Sequence, residues 1–130
     1  MRFFAVATFF AIGAVASTET VQIKDATIRD NGDIQSASFT IQPANVKCES
    51  TKAADFTADS AILCGDSAYR FELKDGSNGK YTLTIHKQTG VAVGLSGTTE
   101  FGVVAHAGGA GANDMVVQPA GDVSVTIKSS

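Results

Sequence analysis

The chain has 130 residues, enough for one compact domain and not two, and sets ten basic against thirteen acidic residues for a net charge of −3. The charges are dispersed, without basic runs or stripes, which excludes nucleic acid and anionic membrane surfaces as partners. After the first sixteen residues no apolar stretch approaches the ~20 residues of a membrane-spanning helix, so no membrane insertion is expected.

Met1-Arg2 precedes an apolar run from Phe3 to Val15 that closes on Ala14-Val15-Ala16 before Ser17. One positive charge, a short hydrophobic block and small residues two apart predict a secretory signal peptide over residues 1–16, cut after Ala16. The working domain is then residues 17–130, secreted and extracellular. Its core must come mainly from Val, Ile, Leu and Ala, with Phe39, Phe56, Tyr69, Phe71, Tyr81 and Phe101 as its aromatics.

Residues 20–30 and 34–42 read as two strands joined at Asn31-Gly32, a dipeptide that favours a two-residue type I′ hairpin turn. Apolar parity shifts inside the first, from Val21 and Ile23 to Ala26 and Ile28, and a one-residue bulge near Asp25 would keep both pairs inward. Cys48 and Cys64 follow. Two cysteines in an exported chain predict one intrachain disulfide. The alternative, a nucleophilic or metal-binding thiol pair, lacks any histidine nearby in sequence. Between them, residues 50–60 are polar, with Phe56 as the one anchor.

Tyr69, Phe71 and Leu73 alternate with Arg70, Glu72 and Lys74, and Tyr81, Leu83 and Ile85 alternate with Thr82, Thr84 and His86. These are half-buried strands around the 75–79 turn. Further strands are expected over 91–96 and 101–105, separated by a turn at 97–100. The glycine-rich segment 107–114 is too flexible for a strand, and Val123, Val125 and Ile127 mark the last strand. No sustained helical period occurs after residue 16. The fold class that follows is all-β, a single-domain antiparallel β-barrel or sandwich with one intrachain disulfide.

The pattern predicts no catalytic residues, no cofactor and no metal site, hence no enzyme. His106-Ala107-Gly108-Gly109-Ala110-Gly111 lacks the Lys-Ser/Thr ending and the following helix of a phosphate loop. His86 and His106, the only histidines, stand on polar faces without the clustered cysteines or carboxylates of a zinc site. Gly94-Leu95-Ser96-Gly97 misses the nucleophile-elbow pattern. Asp25, Asp30 and Asp33, and Asp75 with Asn78, do not match the alternating oxygen ligands of a calcium loop, and no Asn-x-Ser/Thr sequon is present.

Several collinear segments resemble the major-allergen family of Alternaria alternata and its secreted fungal homologues, the hypersensitive-response-inducing elicitors and effectors. They are residues 21–38, Cys64-Gly65-Asp66-Ser67-Ala68-Tyr69-Arg70-Phe71, residues 81–90 and 92–97, His106-Ala107-Gly108-Gly109 with Asn113-Asp114, and residues 121–127. Together they cover nearly all of 20–128. The resemblance implies a compact β-barrel or sandwich, secreted by an ascomycete, often a plant-associated one, in a family with no established catalytic machinery. Cys48 and Cys64 match the family's first disulfide. Its second falls on Ala105 and Val117 here, as if small apolar side chains filled the core in place of a bridge. The cysteine that links some members into dimers has no counterpart between Ser17 and Val46, so a monomer or weak dimer is expected, not a covalent dimer.

The expected function is a secreted effector that triggers or modulates plant immunity by surface interaction with host apoplastic or membrane proteins, thaumatin-like defence proteins among them. His106, Asn113 and Asp114 in the glycine loop are the expected partner contacts. The alternative is a secreted carrier of a small aromatic, flavonol-like ligand.

Overall fold

Alternation carries directly into the strands, one face of each turned to the core and the other to water. The computed structural model describes residues 17–76, 79–109 and 114–129. The expected signal peptide (residues 1–16) and Asn113 lie outside them. Among the described residues the strands are β1 (Thr18–Asp30), β2 (Ile34–Gln42), β3 (Val46–Ser50), β4 (Ile62–Leu63), β5 (Tyr69–Asp75), β6 (Lys80–Gly90), β7 (Val93–Ala107), β8 (Met115–Pro119) and β9 (Val123–Ser129). One short helix, α1 (Ala53–Thr57), lies between β3 and β4.

All nine strands belong to one antiparallel sheet, ordered β3-β2-β1-β8-β7-β6-β5-β4. The strand β9 also lies between β1 and β7. The two share the place of a single strand: β8 pairs with Ile28–Asp30 of β1, and β9 pairs with Thr18–Ile23. On the other side β8 pairs with Val103–Ala107 of β7 and β9 with Leu95 and Ser96. The edge strands β3 and β4 share no ladder among the described residues. They are tied instead by the disulfide between Cys48 on β3 and Cys64 just after β4, both buried.

The core holds Phe71, Ile41, Leu83, Ile85 and Ile127 fully buried, each contributing about 1.5–3 kcal/mol of transfer free energy. Phe39 of β2 meets Phe71 of β5 edge-on at 5.0 Å, joining the two ends of the sheet through its interior. Phe56, buried on α1, adds a third ring 6.5 Å from Phe71. The polar segment around it is ordered by side chains. Ser50 Oγ donates to Asp55 and accepts from the Lys52 N–H. Lys74 Nζ donates to the Phe56 and Ala58 carbonyls, which lie at the helix end where backbone acceptors lack intrahelical partners. One turn of helix with one buried face is too short to leave a period in the sequence.

The bulge near Asp25 is present. Pairing shifts between Lys24 and Thr27, Asp25 takes φ +54°, and Val21, Ile23 and Ile28 are all buried. The first hairpin differs from the expected two-residue turn. Asp30 pairs with Ile34, leaving three residues in the loop, and the Gly32 N–H donates to the Asp30 carboxylate at 2.8 Å. The second difference is larger. The turn expected at 97–100 does not exist: β7 is one 15-residue strand, and Gly97, Thr98, Thr99 and Glu100 pair in register with Ile85, Thr84, Leu83 and Thr82. Gly97 serves close packing instead, because a methyl there would collide with the Thr126 carbonyl of β9. Ala105 and Val117 are direct cross-strand partners, but only Val117 enters the core, and Ala105 is exposed.

Candidate functional site

The glycine segment lies between the end of β7 at Ala107 and the start of β8 at Met115, and its described flanks are fastened from β1. The Arg29 guanidinium donates from Nε to Asp114 Oδ1 at 3.1 Å and from Nη2 to Oδ2 at 2.6 Å, a forked pair. That hydrogen bond, with the charge of Asp114, raises the already high Arg29 pKa further. The Gly108 N–H donates to the Asp114 carbonyl at 2.7 Å, and a methyl at Gly108 would strike the Asp114 carboxylate. Asp114 is 4% exposed, so its carboxylate faces Arg29 rather than solvent. His106 is exposed and sits in one cross-strand row with Val116 and Arg29. Of the three expected contacts, His106 thus presents a side chain to water and Asp114 secures the loop. Asn113 lies outside the described residues.

A second surface lies on the polar face of β5, β6 and β7. Arg70 pairs with His86, and His86 with Ser96. His86 Nε2 and Glu72 Oε2 lie 2.7 Å apart, and since a carboxylate only accepts, Nε2 carries the hydrogen. These side chains border an open groove of about 600 Å³. Strand parity shows that Arg70, Glu72 and His86 share the polar face. Their grouping follows once the 75–79 turn sets the register, a step the alternation alone does not supply.

The two ends of the sheet carry different polar closures. At one end Lys87 Nζ meets Glu19 at 2.7 Å over the Tyr69 ring, and the Glu19 hydrogen bond raises the Lys87 pKa. At the other the Tyr81 hydroxyl donates to Asp30 at 2.6 Å, and burial together with that bond pushes its pKa well up. Asp75, beside Asp30, is raised by loss of water at its carboxyl, then by the charge and hydrogen bond of Asp30 and the charge of Asp33. No group of three His, Cys, Asp or Glu side chains among the described residues is placed to hold a metal ion.

A family model described as Alternaria alternata allergen 1 matches residues 19–116, three quarters of the chain. The chain belongs to that family. A curated relative, the effector protein PevD1 of Verticillium dahliae, is 29% identical over 116 residues, covering 85% of this chain and 72% of the relative. Two crystal structures of the Alternaria alternata allergen Alt a 1 share the fold. One superposes with TM-score 0.68 at 19% identity, covering 85% of this chain and 94% of that one. The other gives 0.65 at 20% identity, covering 85% and 88%. Allergen and effector are thus the descriptions of its kin, and neither is a known enzyme family.

Proposed function

We propose that this protein is a secreted fungal effector that triggers or modulates plant immunity by binding host proteins of the apoplast through its outer surface. The observation that carries the reading is its kinship, over most of the chain, with an effector of a fungus. Its structure is compatible with surface action. The interior is filled by interlocking aliphatic and aromatic side chains, and the polar groupings stand on the outer face or at the ends of the sheet. The loop between β7 and β8, held at its base by Arg29 and Asp114 with His106 exposed beside it, is the contact surface we assign, and Asn113 belongs to the same segment of sequence. A sheet that fixes the two described residues flanking the loop, Gly108 and Asp114, suits presentation of that segment to a partner.

The test is infiltration of folded protein into host leaves, alone and together with an unrelated elicitor, reading ion leakage and the oxidative burst. The expected result is a change in at least one arm relative to a heat-unfolded sample, reduced in His106→Glu. Capture from apoplastic fluid then identifies the partner, thaumatin-like proteins being the class the family resemblance points to. No change in either arm with natively folded protein would overturn the reading.

A further inference from the structure

The groove on the outer face of β5–β7 has a composition that the effector reading does not use. Its charged side chains are unevenly engaged. Glu72, the one carboxylate in its lining, is engaged by His86 at 2.7 Å. Lys87 is engaged by Glu19. Arg70 is exposed and has no hydrogen-bond or ion-pair partner among the described residues. A guanidinium presents its donors in a planar fork that fits a carboxylate with two parallel hydrogen bonds.

The walls are apolar and small. Ala61 and Ala68 line one side. On the other the β6–β7 hairpin reaches past β5, its turn carried by Ala92 at φ +58°, and this holds Val93 59% exposed over the groove. An exposed valine, two alanines and a guanidinium with no partner among the described residues together make the lining amphipathic. The groove, at about 600 Å³, lies within the range of small-molecule sites. Ser96, one strand beyond His86, adds a hydroxyl that bonds to nothing among the described residues.

We propose that this groove binds a small monocarboxylic acid, its carboxylate forked on Arg70 and its compact apolar body lying across His86 between the alanines and Val93. Recognition requires both halves. A neutral analogue of the same shape leaves the guanidinium unpaired, and a bare inorganic anion leaves Val93 in water.

The experiment is a titration of ¹⁵N-labelled folded protein with benzoate and, in parallel, with benzamide, following backbone amide shifts. Benzoate is expected to give saturable shifts at Arg70, His86 and Ser96, and benzamide to bind at least about tenfold more weakly, as loss of a charge-assisted pair requires. Arg70→Gln is expected to weaken benzoate by a similar factor. Lys128→Gln, which removes a cation next to Ser96 on the same face, leaves it unchanged. Equal shifts from benzoate and benzamide, shifts centred away from the groove, equal loss in both variants, or no saturation would each overturn the proposal. The benzoate–benzamide contrast stands on the unmodified protein, so it decides the matter even where a variant folds poorly. Benzoate binding with an inactive protein in leaves would remove the effector reading and leave this site standing.

Discussion

Asp75 holds its proton to higher pH than a free aspartate, because its carboxyl loses water and faces Asp30 and Asp33. A carboxyl that binds protons more tightly folded than unfolded adds stability at low pH. That contribution is fully present below the ordinary aspartate range, near pH 4, and is lost as pH rises through the raised folded value. Asp75→Asn should therefore melt above the parent at pH 7, by under about 1 kcal/mol since the site is open to solvent. The gap should close below about pH 4. Melting curves from pH 3 to 8 check this, and a constant gap would contradict it. Single residues were only partly legible in the sequence. The buried status of Asp114 was not, because its partner Arg29 lies 85 positions away and nothing local marks the pair. Phe56 was legible as an anchor, being the one large apolar side chain in a polar stretch.

Among the elements, β7 shows where period-two reading succeeds and where it stops. Alternation in β5, β6 and β9 identified inward and outward faces because each strand has one wet side. The segment Gly97-Thr98-Thr99-Glu100 has turn-like composition, yet it continues the strand because β6 supplies a matching ladder. The glycine is there for its missing side chain, which lets β9 approach. Gly97→Ala should cost about 1–3 kcal/mol, the penalty of forcing a methyl into packed backbone. Urea denaturation should show a lower midpoint at unchanged slope. A midpoint within error of the parent would mean that β9 can shift away freely. The helix α1 was illegible for a related reason: its order comes from Lys74 and Ser50, outside its own five residues.

At the level of the whole molecule, the antiparallel all-β class was legible from strand pattern alone, and the strand order was not. Nothing in the alternation says that β8 and β9 share one place between β1 and β7. Nor does it say that the sheet's two edges meet at sulfur. That junction concentrates the role of one bond. Cys48 and Cys64 lie 16 residues apart, and a loop of that size predicts about 3 kcal/mol of stabilisation. Replacing both with serine should lower the melting temperature accordingly and speed amide exchange in β3, whose ladder to β2 is its only one among the described residues. Unaltered melting would show that Phe39, Phe56 and Phe71 hold the edges together unaided. The pairing of β1 with β9 has a practical corollary. The Ser129 N–H donates to the Ser17 carbonyl, so both ends of the described chain emerge side by side. Thr18 and Ser96 flank Lys128 there, at the end of the sheet nearest the Arg70 groove. The described residues that flank the glycine loop lie at the far end of β1, where Met115 pairs with Asp30. A tether to a bead through either of these two ends would thus leave the far end of β1 displayed and crowd the groove, so baits anchored by the two routes would retain the same ligands.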